Sequence, residues 1–238
     1  MNRTIIIMAK LPRAGNVKTR LQPFLSAEQC SSLAKAFLYD TIHKARSVCD
    51  CLIIAFAPAH EKDYFADSFF ENSLLIEQRG ADLGEKMSNA FECAFRRNAD
   101  STVAVIGTDS PTLPVEFIER AFEFLEINAG AVLGKSDDGG FYLIGLQRRI
   151  PPRLFDNTEW SSPRVFEQIA RNIERLEMNL RLVPDWFDID APDDLRRLRD
   201  EILNNAQAQK IAAQTFQWLI ANAEVFGKYA DDNLSEQL

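Results

Sequence analysis

Six short apolar runs set the terms on which this chain can fold: TIIIMA (4–9), CLIIAFA (51–57), SLLIEQ (73–78), TVAVIG (102–107), GAVLGK (130–135) and GFYLIGL (140–146). None alternates apolar with polar residues, as a strand with one wet face does. Each reads instead as a strand covered on both sides. Helical patterns stand between them. Residues 26–48 carry Leu33, Phe37 and Ile42 roughly along one face, behind Ser26 as a cap. Residues 84–97 form a second helix, and 114–126 a third with Pro114 at its start, while EKDYFADSF (61–69) reads as a short helix. Strand–helix alternation of this kind predicts an α/β fold, a mainly parallel sheet with helices on both faces. Ligands of such sheets bind beyond the carboxyl ends of the strands.

Beyond residue 150 the pattern is mostly helical. Residues 162–177 and 191–203 read as helices, with an extended stretch over 180–190 between them. Residues 207–226 are amphipathic, with Ile211, Thr215, Trp218, Leu219 and Phe226 on one face, and YADDNLSEQL (229–238) is a polar, frayed tail. With 238 residues, 46% of them hydrophobic, the chain can bury one sizeable core. The expected division is one domain over 1–203 and a helical extension over 204–238, whose apolar face would cover the core or pair two chains as a homodimer.

The net charge of −8 argues against bulk nucleic-acid or membrane-surface binding. No apolar run approaches the roughly 18 residues that span a bilayer. The opening MNRTIIIMAK has neither the apolar length nor the cleavage site of a signal peptide, so a cytoplasmic protein is expected. Cys30, Cys49, Cys51 and Cys93 form no CxxC pair, and only His43 and His60 could join them on zinc. Reduced thiols are the expectation.

Against this acidic balance, MAKLPRAGNVKTRL (8–21) gathers Lys10, Arg13, Lys18 and Arg20 just after the first strand. Positive charge beside a Gly at a strand-to-helix junction suits phosphate. It is neither a Walker A loop, because Val17 precedes Lys18-Thr19, nor a GxGxxG fingerprint, because only Gly15 is present. Three acidic loops accompany it. In GTDSPTLP (107–114), Asp109 ends a buried strand, where it can hold a metal ion or ribose, or serve a turn. KSDDGGFY (135–142) sets Asp137, Asp138, Gly139 and Gly140 before a strand, which is also a hairpin signal. In WFDIDAPDDL (186–195), alternation sends Asp188 and Asp190 to one side, a hard-oxygen pair suited to Mg²⁺ or Mn²⁺; alternatively Asp190 caps the next helix. A cation clamped to a diphosphate would use both signs of charge.

Six blocks carry a resemblance: KLPxxGxxKTRL, GADLGEKM (80–87), GTDSPTLP, DGGFYLIGL, WSSPRVF (160–166) and DIDAPDDL. In this order they resemble a bacterial family of small GT-A-like glycosyltransferases, also described as radical-SAM-associated transferases, within the nucleotide-diphospho-sugar transferase superfamily. The first block also resembles 2-phospholactate guanylyltransferase and, more distantly, MobA-like nucleotidyltransferases. The resemblance spans residues 8–195 and implies a GT-A fold with a Rossmann-like sheet, binding a nucleotide diphosphate through Mg²⁺ or Mn²⁺. By that likeness Lys10, Pro12, Gly15, Lys18 and Arg20 hold phosphates, and Gln78, Asp82, Leu83 and Gly84 recognise base and ribose. Asp109, with Asp188 or Asp190, holds the metal, while Asp138, Gly139, Gly140, Trp160 and Ser161 line the acceptor side. The chain departs from the family pattern at Lys135-Ser136-Asp137, where a Pro-Ala type sequence is usual, and at Ala191, where Thr is usual. Gly-Thr-Asp-Ser carries one Asp rather than the double Asp of many glycosyltransferases.

The activity so implied is metal-dependent transfer from a nucleoside-diphosphate sugar to an unknown small-molecule acceptor. Asp138 would act as general base, and Lys18 and Arg20 would steady the departing diphosphate. The alternative is nucleotidyl transfer from an NTP to a phosphorylated small molecule. A non-catalytic nucleotide-binding module would need the basic loop but not the three acidic ones.

Overall fold

A computed structural model describes residues 1–22, 24–66, 70–127 and 130–227. Seven strands form one sheet: β1 (Asn2–Lys10), β2 (Cys51–Ala57), β3 (Ser73–Glu77), β4 (Ser101–Ile106), β5 (Ala131–Ser136), β6 (Phe141–Gln147) and β7 (Leu180–Trp186). Their order across the sheet is β3-β2-β1-β4-β6-β5-β7. β1 pairs in parallel with β2 and β4, β2 with β3, and β5 with β7. β6 runs antiparallel to both β4 and β5. The cause is local: the turn over 137–140 is too short for the crossover that a parallel partner needs, so the chain reverses. The sheet is therefore the mainly parallel α/β sheet expected, with one strand reversed.

Both faces are covered, as the unbroken apolar runs require. Ile5 and Ile7 of β1, with Ile54 and Ala104, pack under α1 (Ala27–Arg46) and α3 (Val115–Glu126) through Leu38, Ile42, Ile118 and Phe122. Ile6, between Ile53 and Val105 in register, faces the other way, toward α2 (Leu83–Arg97) and α4 (Val165–Arg175), where Met87, Phe91, Ile169 and Ile173 meet it. Ser26 caps α1 in a full capping box with Gln29.

A third apolar cluster joins the outer side of α1 to α5 (Pro192–Asn204), α6 (Ala206–Ile211) and α7 (Ala213–Ala221). The expected single helix over 207–226 is broken at Ala212. Its apolar face turns inward, with Trp218 and Leu219 packed among Leu33, Phe37, Leu195 and Leu198. The break has an electrostatic partner. Buried Asp40 of α1 accepts from the Gln214 and Thr215 N–H groups at 2.8 Å each and from Thr215 Oγ1 at 2.6 Å. It thereby serves the open first turn of α7. The short helix expected over 61–69 is a kinked 3-10 stretch over Ala59–Ala66; its end, and the tail over 229–238, lie outside the described residues. Among the described residues no helix is long and apolar enough to cross a membrane, and all four cysteines are free thiols.

Candidate functional site

The loop after β1 is pinned by its own apolar residues. Leu11, Val17 and Leu21 are buried, and Ser31 Oγ donates to the Pro12 carbonyl at 2.7 Å. Between these anchors Lys18 adopts left-handed backbone angles, φ 49° and ψ 37°, at the mouth of a short 3-10 turn over Thr19–Leu21. A residue with a Cβ pays for that conformation. In return its side chain runs inward, across the end of β1, toward the loops after β4 and β7.

There Lys18 Nζ meets carboxylates rather than open space. It lies 2.5 Å from Asp109 Oδ1 and 3.2 Å from Asp190 Oδ1, and it donates to the Ile189 carbonyl at 2.6 Å. The Lys18 side chain is 7% exposed, whereas Asp109 and Asp190 are 46% and 42% exposed. Burial pushes its pKa down, but the two carboxylates outweigh burial and hold it above the ordinary lysine value. Arg20 stands 4.0 Å from Asp190. The acidic loops are also stitched to each other, since Ile189 N–H donates to the Asp109 carbonyl at 2.9 Å.

Asp188 and Asp190 have different occupations. Asp188 accepts from Ser110 Oγ in a very short contact and from Ser136 Oγ at 2.7 Å. Burial, with Asp109 and Asp138 nearby, pushes its pKa up to about 6 against the pull of the two hydroxyls. Asp190 is not the cap of α5. The Asp190 and Ala191 N–H groups donate to Asp194 at 3.0 and 2.7 Å, which leaves the Asp190 side chain to Lys18. In the β5–β6 turn, Asp137 pairs with Arg197 at 2.6 Å, and Asp138 Oδ1 accepts from Gly140 N–H at 2.8 Å. That turn needs glycine at 139: φ is +88°, and a Cβ there would stand 2.0 Å from the Pro163 carbonyl oxygen.

These groups surround one cavity of about 680 Å³ at the carboxyl ends of β1 and β4. Of the residues expected at the site, Lys10, Lys18, Arg20, Leu83, Asp109, Asp138, Gly140, Trp160, Ser161, Asp188 and Asp190 line it. Pro12, Gly15, Gln78, Asp82, Gly84 and Gly139 are not among the lining residues. Each of several has other work. Gln78 Nε2 donates to the Ala9 and Ala55 carbonyls at 3.1 and 2.8 Å, tying β1 to β2. Asp82 caps α2 by accepting from Glu85 N–H at 2.8 Å. Gly84 lets Trp160 lie against α2, since a Cβ would come within 2.8 Å of the indole. Arg13 leaves the basic group to pair with Glu61.

Sequence reasoning missed an apolar wall of Met8, Met87, Phe141 and Val165 on the same cavity. It also missed Ser110 and Ser136, the two hydroxyls that hold Asp188. Both sit in the blocks already singled out, one and two residues from Asp109 and Asp138. Lys44 of α1 was missed as well. Its fully buried ammonium donates to the Ser110 and Pro111 carbonyls at 3.1 and 2.9 Å, directly behind Asp109. The Asp40–Lys44 spacing of one helical turn was its only signal.

Among the described residues no three His, Cys, Asp or Glu side chains stand close enough to make a metal centre by themselves. Asp109 and Asp190, reaching one ammonium from two sides, are a different donor set. Two carboxylates fit a Mg²⁺-type ion that takes its remaining oxygens from water and a bound phosphate. Asp188 lines the same cavity and accepts one hydroxyl on each of its oxygens.

No curated protein matches the chain by sequence. Among solved structures it is similar to a Desulfovibrio desulfuricans G20 protein described as a candidate nucleotide-diphospho-sugar transferase. That likeness has a TM-score of 0.86 and 27% identity over 96% of this chain and 99% of the other. A CMP:2-keto-3-deoxy-manno-octonic acid synthetase solved with CTP shares the fold at TM-score 0.50 and 12% identity, over 86% of this chain and 99% of that one. A manganese complex of Rv0371C from Mycobacterium tuberculosis H37Rv does so at TM-score 0.50 and 15% identity, over 84% and 99%. The fold is that of the nucleotide-diphospho-sugar transferases. A family profile described as "Uncharacterized protein conserved in bacteria (DUF2064)" matches residues 41–162, more than half of the length, and the chain belongs to that family.

Proposed function

We propose that this protein is a metal-dependent transferase that takes a nucleoside-diphosphate sugar as donor and passes the sugar to a small-molecule acceptor. The observation that carries the reading is the mixed charge of one cavity: Lys10, Lys18 and Arg20 face Asp109, Asp138, Asp188 and Asp190 at the carboxyl ends of β1 and β4. A ligand with phosphates and a divalent cation uses both signs. A lone anion or a lone cation uses only one. The Desulfovibrio relative's description and the manganese held by Rv0371C support the same reading.

In this scheme Lys10 and Arg20 bind the donor's phosphates by direct charge. A divalent cation at Asp109 and Asp190 supplies charge neutralisation for the departing diphosphate. Leu83 and Met87 give the donor an apolar wall. Trp160, Ser161 and Gly140 border the acceptor, and Asp138 takes the proton from its hydroxyl. Gly140 N–H, fixed on Asp138 Oδ1, leaves Oδ2 for that proton. Asp188 anchors Ser110 and Ser136 and so joins the β4 and β5 loops beneath the reacting atoms.

A second reading, nucleotidyl transfer from an NTP to a phosphorylated acceptor, is favoured by the CTP-bound structure that shares the fold. The same cations would steady departing pyrophosphate.

A thermal-shift panel separates the two. It uses NTPs and UDP-, GDP-, ADP- and dTDP-sugars, each with Mn²⁺, Mg²⁺ or EDTA. A ligand at 100 times its Kd adds about 2.7 kcal/mol, a rise of roughly 5–11 °C for a chain of this length. A metal-dependent rise with a sugar nucleotide and not its NTP supports glycosyl transfer. A rise confined to an NTP supports nucleotidyl transfer, and silence throughout rejects both. Asp109→Asn is expected to abolish the metal-dependent part of the shift. Undiminished binding by that variant would remove Asp109 from the metal.

A further inference from the structure

Lys18 stands where a cation shared by Asp109 and Asp190 would be held. Its ammonium contacts one oxygen of each and also donates to the Ile189 carbonyl, three oxygen partners around one positive charge. The side chain is almost wholly buried, while both carboxylates stay open to the cavity. The backbone at Lys18 is left-handed, a conformation a non-glycine residue holds only when its surroundings require it. Its carbonyl accepts from the Leu21 N–H at 2.9 Å and from Cys30 Sγ at 3.4 Å, and from that position its side chain brings the ammonium to the two carboxylates.

An ammonium held against these two oxygens repels a divalent cation brought to the same pair, because they carry the same sign at contact distance. We infer that Lys18 is a built-in counter-cation for Asp109 and Asp190, and that a divalent ion reaches this pair only by displacing the lysine ammonium. The inference rests on the proposed metal-dependent reading. It adds an order to it: the displaced ammonium remains in the cavity that holds Lys10 and Arg20, where phosphate offers it a new partner. Nucleotide phosphate therefore lowers the cost of displacement, and metal and nucleotide bind more tightly together than either does alone. In the metal-free protein Lys18 keeps two like charges from repelling and keeps the β4 and β7 loops in place.

The test is Mn²⁺ binding in the absence of nucleotide, read by the free-Mn²⁺ electron paramagnetic resonance signal. The full-length protein is compared with Lys18→Met and with the double variant Lys18→Met, Asp109→Asn. Removing the ammonium is expected to tighten Mn²⁺ binding by about tenfold or more, and the double variant is expected to lose the gain. Mn²⁺ binding by Lys18→Met that is no tighter than wild type overturns the inference. So does a gain that survives Asp109→Asn. A second measurement needs no variant. Reductive methylation of Lys18 in the wild-type protein, read by mass spectrometry, is expected to be slow and to speed up on adding Mg²⁺ alone. An unchanged rate at a Mg²⁺ concentration that binds overturns the inference. The two readings fail separately. A silent nucleotide panel with a tenfold gain in Lys18→Met removes the transfer reaction and keeps the displacement. A metal-dependent nucleotide shift without that gain does the reverse.

Discussion

Two lysines hold the loop after β4, and they differ in almost everything but burial. Lys18 contacts the Asp109 side chain, and Lys44 the backbone carbonyls of the next two residues, Ser110 and Pro111. Lys18 has two carboxylates in contact, and its pKa lies above the ordinary value although burial opposes it. Among the described residues Lys44 donates to two neutral carbonyls, with Asp40 and Glu201 acting on it through space. Burial wins there and lowers its pKa to about 7. Burial thus sets the cost of a cation, and direct contact with an anion decides whether the cost is met. The carboxylates that meet it for Lys18 are half open to solvent and a ligand can take them. Lys44 is shut in and serves the frame.

The comparison is sharpest in pH. The folded pKa of Lys44, about 7, is lower than the unfolded value of 10.5. Between these values the unfolded chain binds the extra proton, so stability rises with pH, by up to about 1.4 kcal/mol per unit. Urea melts of the wild type are expected to gain about 2–3 kcal/mol between about pH 7 and 9 from this group. Lys44→Met should lose that rise, and an unchanged slope would show that Lys44 does not titrate in this window. Next in size is Asp40→Ala, which strands the Gln214 and Thr215 N–H groups and the Thr215 hydroxyl. It is expected to cost about 2 kcal/mol in urea melts and to speed amide exchange at the start of α7. Lys18→Met should cost about 1 kcal/mol or less, because Asp109 and Asp190 can rehydrate where they are. A loss as large as that of Asp40→Ala would put the two lysines in one class. The smallest effect belongs to Glu201→Gln, which keeps an acceptor for Thr112 Oγ1, 2.8 Å away, and removes a charge that acts through space on Arg197 and Lys44. About 0.5 kcal/mol is expected by the same melts.

The sheet was legible because burial on two faces leaves a mark on every strand. Ile5, Ile6 and Ile7 are apolar in sequence because consecutive side chains enter different cores. The reversal of β6 leaves no such mark, for an apolar run reads alike in either direction. Only the Asp138-Gly139 turn announced it. At the site the chemistry of each loop was readable and the pairing was not. Lys18 and Asp190 are 172 positions apart, and no periodicity says that a lysine expected to meet phosphate rests on an aspartate expected to hold metal. Asp82 has a local occupation that the sequence does show. Its spacing to Glu85 is that of a helix cap, and the structure uses it so. The break at Ala212 could not be read, because the group that serves the helix beyond it is Asp40, on another helix.

That aspartate also decides where the chain can be cut. A boundary placed after α5, at about residue 203, looks clean on the map of strands and helices. It would remove the three donors that satisfy Asp40 and open that carboxylate, with the apolar face of α1 around it, to water, one turn from Lys44 and the loop of Asp109. A shortened version meant for crystallisation, display or fusion keeps its site only if it runs past Ala221. A new terminus belongs beyond that point, in the stretch that follows α7.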